Sequence, residues 1–260
     1  MPGVSRALPT ATALSVLEIN PKLQRFSISI SDRKDFYHQF QVSRPRAWSN
    51  ALWPPLKVED VRNLNALESS RPFLESKRRR YDRRVHGDLL GGGPVPHEHH
   101  GHLVQACFAS IPQGDHLGVE FATSSHRSLL KSHGLLSDDN ELRADQPFRG
   151  ERVLEGLAID DYYAISIEDE PLQPGLPSLP AVSSQASSLM ARARLAYDKA
   201  GILGSSDKDV CEDAKAKVTG AELDSSLETR RLGLALLGAP VKRRLALSFV
   251  FGAGCYAMDR

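Results

Sequence analysis

Phe26, Ile28 and Ile30 alternate with Ser27, Ser29 and Ser31. A period of two predicts a strand, and this one delivers Asp32 at its end before running into DRKDFYHQF. Leu103, Val104, Ala106 and Phe108 suggest a second short strand, broken by IPQGD. Val119, Ala122, Leu129 and Leu130 then recur at helical spacing ahead of Gly134, which gives strand, glycine turn, helix. Residues 153–159 and 163–167 are again strand-like, so the aspartates of LAIDDYYAIS, Asp160 and Asp161, fall where a hairpin turns. After a Pro/Ser-rich linker over 171–185, ASSLMARARLAYDKAG places Leu189, Met190, Ala193 and Ala196 on one side of a helix that ends at Gly201. AKVTGAELD reads as a short strand pair, and ETRRLGLALLGAP and KRRLALSFVFGAG as two further helices.

With 260 residues, 41% of them hydrophobic and 25% charged, the chain can bury a core in one or two domains. The net charge of +1 conceals a segregated distribution. Seven Arg/Lys face two acids from Arg71 to His86, and eleven acids face three Arg from Ser137 to Pro171. Cys107, Cys211 and Cys255 are widely spaced, with no CxxC, which favours a reducing compartment. The longest apolar tracts are split by Lys242, Arg243 and Arg244, short of the ~20 residues a spanning helix needs. The expectation is an intracellular protein, cytoplasmic or nuclear, with no membrane partner.

Side chains alternate across a strand, so Asp160 and Asp161 cannot both be buried on one face, and an unpaired buried carboxylate is costly. A cation should lie close by. A third carboxylate, Asp32, also ends a strand, and carboxylate oxygens are preferred ligands of Mg²⁺, which usually takes one or two of them plus substrate phosphates. Two neighbouring strand ends would suit two ions ~4 Å apart, the spacing of in-line phosphoryl transfer. A solvated turn is the plain alternative.

DRKDFYHQF, IPQGDHLGVEF and AIDDYY, in that order, resemble three motifs of the reverse transcriptase palm of retroelements and retroviruses. These are an Asp followed five positions later by an aromatic residue, the Leu-Pro-Gln-Gly motif and the Tyr-x-Asp-Asp box. GSSDKDV and KVTGAELD resemble, more loosely, the Lys-bearing loop and closing hairpin, so the likeness spans about residues 26–225. It implies an α+β fold with a palm-like antiparallel sheet packed with helices. It also implies a fingers remnant over 1–25, an insertion at about 56–100, and a helical C-terminal segment over 226–260 that begins a thumb or connection. The implied activity is RNA-directed DNA polymerase: two-metal deoxynucleotidyl transfer onto a primer 3′-hydroxyl, on an RNA or DNA template. Asp32, Asp160 and Asp161 would be catalytic and hold two Mg²⁺, with Mn²⁺ as a substitute. The Arg33 carbonyl would add a ligand and Tyr37 would obstruct a ribose 2′-hydroxyl. Gln113 and Gly114 would border the nucleotide, and Lys208 would stand where a general acid for pyrophosphate belongs.

Ala158 stands where the box usually has an aromatic, and only 31 residues precede Asp32, fewer than fingers need. The competing reading is therefore a truncated, inactive derivative that keeps nucleic-acid affinity. HEHHGH, with His97, His99, His100 and His102, lacks His-Glu-x-x-His spacing and reads as a solvated loop rather than a zinc site. Lys77, Arg78, Arg79, Arg80, Arg83 and Arg84, with Tyr81 among them, suit a phosphate backbone. If they track one, replacing the five arginines with Ala should weaken binding uniformly over sequences. The salt slope should flatten by ~0.7–0.9 for each phosphate that is no longer neutralised, read from binding isotherms at several salt concentrations. An unchanged slope would assign the cluster to a solvated face.

Overall fold

The computed structural model describes residues 7–51, 54–57, 103–104, 107, 110–112, 115, 117–172, 183–205, 207–240, 242–243 and 245. The basic cluster at 77–84, the histidine-rich loop at 97–102, and Gln113 and Gly114 lie outside them. The chain divides into two compact units, one of residues 1–40 with 113–260, the other of residues 41–112.

The smaller unit carries a short helix, α2 (Arg44–Ser49), and a two-stranded ladder of β2 (Leu56–Lys57) with β3 (Leu103–Val104). Its strands bracket residues 58–102. In the larger unit a β-α-β-β-α-β run forms one antiparallel sheet. The run is β1 (Gln24–Asp32), α3 (Gly118–Ser132), β4 (Val153–Ala158), β5 (Asp161–Asp169), α4 (Gln185–Ala200) and β6 (Val210–Asp213). The strand order β4-β5-β1-β6 puts β1 and β5 at the centre, paired over nine residues from Gln24↔Asp169 to Asp32↔Asp161. A single turn of helix, α1 (Phe36–Gln39), follows β1. The fold is α+β, an antiparallel sheet with flanking helices, the broad class that the resemblance implies.

Both faces of β1 are covered. Phe26 and Ile28 join Leu154, Tyr163, Ile165 and Ile167 in a core closed by Leu14 and by the second sheet. That sheet is β7 (Lys215–Val218), β8 (Ala221–Asp224) and β9 (Leu236–Gly238). On the other face Tyr162, Ala164 and Leu157 pack under Met190, Ala193 and Tyr197 of α4 and Leu130 of α3. Ser27, Ser29 and Ser31 also point to the helical side and are buried. Each hydroxyl is used: Ser27 bonds Ser184, the N-cap of α4, at 2.9 Å; Ser29 accepts from the Glu212 amide at 3.1 Å; Ser31 donates to Asp209 at 3.1 Å. Ser184 also accepts from the Ser187 amide at 3.1 Å, and Gly201, at φ 67°, ends α4 as its position in the sequence suggests.

The β7-β8 hairpin turns through Thr219 and Gly220, both at positive φ, as a two-residue primed turn requires. The sequence misleads just beyond it. The helix expected over ETRRLGLALLGAP stops as α5 (Leu227–Arg231), Gly233 takes positive φ, and Leu236–Gly238 pairs with β8 instead. The open edge of β8 offers backbone partners that outweigh the helix propensity of a leucine-rich run.

Across the β4-β5 ladder Gly156 faces Tyr163, and a Cβ at 156 would overlap the tyrosine ring and hydroxyl. Gly156→Ala should therefore cost about 1–3 kcal/mol by overpacking, read as a lower urea midpoint. Tyr163→Phe should cost nothing or stabilise, because the buried Tyr163 hydroxyl has no hydrogen-bond partner among the described residues.

Candidate active site

The register of the central ladder builds the site. Asp32 is the last residue of β1 and Asp161 the first of β5, and they stand directly opposite one another. By strand alternation both lie on one face, and opposed positions bring Cβ atoms to about 4.5–5.5 Å. Asp160 occupies the second position of the two-residue loop, Ile159 and Asp160, that joins the Ala158↔Asp161 pair. The Arg33 amide donates to the Asp160 carbonyl at 3.2 Å, tying the hairpin tip to the end of β1. Ile159 has φ 61°, a left-handed conformation that a β-branched side chain rarely adopts.

Like charges facing across a ladder repel, and here burial adds to that repulsion in disfavouring the charged forms. Burial, then the charges of Asp160 and Asp32 and a hydrogen bond with Asp32, push Asp161 up to about 7. Asp160 is raised too, by burial and by Asp32. Burial and the Asp160 charge raise the Tyr37 hydroxyl, which places that ring in the field of the cluster. The nearby cation is Lys208, whose Nζ lies 3.1 Å from Asp32 Oδ2 and whose own pKa is raised by that bond. The loop that carries it is held by the Ser205 amide on the Asp32 carbonyl, 3.0 Å, and the Lys208 amide on the Ser205 carbonyl, 2.9 Å.

Behind the hairpin lies a buried polar network. The Arg33 guanidinium, 5% exposed, sits 4.0 Å from the centre of the Tyr197 ring, donates to Ser31 Oγ, and lies 4.0 Å from Asp209 Oδ1. It rests on Gly204, where a Cβ would come within 2.8 Å of it. His126, fully buried on α3, has Nδ1 2.9 Å from the Ile159 carbonyl and Nε2 2.7 Å from the Tyr197 hydroxyl. Burial pushes its pKa down to about 4, so the ring is neutral. A carbonyl only accepts, so Nδ1 carries the proton and Nε2 accepts from Tyr197.

Of the residues singled out in the sequence, Asp32, Arg33, Tyr37, Asp160, Asp161 and Lys208 are brought to one end of the central sheet. The motif order missed His126, Tyr197 and the inward turn of the Arg33 side chain. A signal existed: His126 lies four residues from both Ala122 and Leu130, and Tyr197 four from Ala193, so each belongs to its helix's buried stripe. Among the described residues no group of three or more His, Cys, Asp or Glu side chains is placed to hold a metal ion.

No protein-family model and no curated protein matches the chain. Among solved structures it is similar to the foamy viral protease-reverse transcriptase dRH in complex with double-stranded DNA. The TM-score is 0.43 and the identity 11%, over 86% of this chain. The chain spans 25% of that protein's chain, and a likeness of this size does not establish a shared fold.

The raised carboxyl has a consequence for stability. Unfolded, Asp161 would titrate near ~3.9; folded, it holds its proton to about 7, so stability falls as pH rises through that window and the loss is complete above it. Asp161→Asn removes the penalty. It should raise stability at pH 8 by about 1–2 kcal/mol, less than full linkage would give because the carboxyl keeps contact with water, and should be neutral near pH 4. Urea denaturation at the two pH values measures the difference.

Proposed function

We propose that the larger unit is the palm of an RNA-directed DNA polymerase related to the reverse transcriptases of retroelements. In this reading Asp32, Asp160 and Asp161 bind Mg²⁺, or Mn²⁺ in its place, for deoxynucleotidyl transfer to a primer 3′-hydroxyl. One observation carries the reading: two carboxylates opposed at adjacent central strand ends, with a third in the connecting loop. The donor set fits a hard divalent cation, which needs only one or two protein carboxylates before water and phosphate oxygens complete its shell. A three-ligand cage is therefore not required. Ions held there by Asp32, Asp160 and Asp161 would supply Lewis-acid activation of the 3′-hydroxyl and offset of the charge on pyrophosphate, for a transfer in which the 3′-oxygen bonds the α-phosphorus and the α–β anhydride breaks.

The chain's own residues supply the rest. Tyr37, beside Asp160, would close the space next to the sugar 2′ position and so select deoxynucleotides. Lys208, already on Asp32, would move to the triphosphate oxygens once metal neutralises that carboxylate. Gln113, Gly114 and the 77–84 cluster would contact nucleotide and template.

A second reading, an inactive nucleic-acid-binding derivative, is favoured by the same Lys208, which occupies an Asp32 oxygen that a metal would need. Thermal unfolding at pH 8 with and without Mg²⁺ separates the two. Polymerase ancestry with an intact site predicts a rise in Tm of about 2–6 °C at large excess of Mg²⁺, abolished by Asp32→Asn. The same substitution or Asp160→Asn should abolish Mg²⁺-dependent primer extension, whereas Tyr37→Ala should keep extension and admit ribonucleotides. Nucleic-acid binding with no Mg²⁺ effect on Tm or extension would support the inactive derivative.

A further inference from the structure

We propose that His126 is the positioning residue of the carboxylate hairpin: from α3 it fixes the Ile159 carbonyl, and through it the aim of Asp160 and Asp161. The inference rests on the metal-binding reading for its functional consequence, though not for the geometry.

A two-residue hairpin loop with positive φ only at its first position normally takes glycine there. Here the position is Ile159, at φ 61°. Such a conformation persists only where the surroundings over-determine it. The two loop carbonyls are held from opposite sides: Asp160 by the Arg33 amide of the neighbouring strand end, Ile159 by the His126 ring. The ring is fixed in turn. Tyr197 donates to Nε2, which leaves Nδ1 as the only donor, and the Phe36 ring lies 4.8 Å from the imidazole between centroids. Tyr197 is itself stacked by Arg33, the residue that holds the other loop carbonyl. A closed circuit results, in which α3, α4 and the end of β1 all bear on one strained peptide. A core histidine that merely fills space would be satisfied by the same one hydrogen bond per ring nitrogen made to any neighbour, so the identity of the partner is what distinguishes His126. The partner here is the loop residue next to Asp160.

The 260-residue chain tests this with His126→Phe, which keeps a ring but removes the donor, and His126→Asn, whose side-chain amide restores a donor near the position of Nδ1. Two readings are taken. Hydrogen exchange of the Arg33 amide reports the hairpin tip without any metal, and titration with Mn²⁺ followed by its electron paramagnetic resonance signal reports the carboxylates. His126→Phe should speed Arg33 exchange by about tenfold or more and weaken Mn²⁺ binding by a similar factor, with His126→Asn returning both most of the way. Tyr197→Phe, which keeps the ring under Arg33 and frees the imidazole tautomer, should move both readings in the same direction by less, and serves if His126→Phe does not fold. Unchanged Arg33 exchange and Mn²⁺ affinity in a folded His126→Phe variant, or no recovery in His126→Asn, would overturn the proposal. If the wild-type chain binds no Mn²⁺ while His126→Phe still releases the Arg33 amide, the positioning role is upheld and the metal reading fails.

Discussion

Two aspartates facing each other across the central ladder is the constraint to which the rest of this structure responds. Asp32 and Asp161 are fixed in opposition by a nine-residue register whose apolar positions are committed to one of two cores. Sliding either strand by one residue would relieve the repulsion only by turning its own apolar set, Phe26 and Ile28 on β1 or Tyr163 and Ile165 on β5, away from their core. The fold accepts the local cost and answers it with a proton on Asp161 and the Lys208 ammonium on Asp32. Paired charges placed where they weaken the fold are a usual mark of a site selected for chemistry rather than for stability.

The serine face of β1 is what lets that register hold. Apolar residues at 27, 29 and 31 would pack well under α4, but they would leave the Glu212 amide without its Ser29 partner and Asp209 without Ser31. Those two hydrogen bonds fasten β6 and the segment ahead of it to β1, and the Lys208 loop ends there. Ser31 also receives the buried Arg33 guanidinium, so the same hydroxyl links the carboxylate end of β1 to the network behind it. The strand thus serves as both the core of the sheet and the mounting of the site.

What the sequence disclosed and what it withheld divide along physical lines. Local periodicity exposed β1, the β4-β5 hairpin, and α4 with its terminal Gly201, because each is set by neighbours within a few positions. β9 was hidden because its leucines suit a helix, and only the open edge of β8, contributed by a different segment, draws them into a strand. The opposition of Asp32 and Asp161 was foreshadowed by both ending strand-like runs, yet the pairing is a property of register that no single run encodes. His126 and Tyr197 sat in plain view on buried stripes. Their meaning depends on the Ile159 carbonyl, and a left-handed isoleucine cannot be read from a sequence whose turn chemistry would call for glycine. Arg33 drew notice as the residue after Asp32, while its buried side chain, stacked on Tyr197, is set by a helix distant in the sequence.

The proposed binding of a divalent cation by the carboxylate cluster is open to direct measurement. The most direct measurement follows the side-chain carboxyl of Asp161 by ¹³C NMR through a pH titration, with and without Mg²⁺. Without metal the carboxyl should titrate near 7, and with saturating Mg²⁺ its midpoint should fall below about 5, as a cation takes the place of the shared proton. A midpoint near 4 without metal, or one near 7 that Mg²⁺ leaves unmoved, would contradict the account.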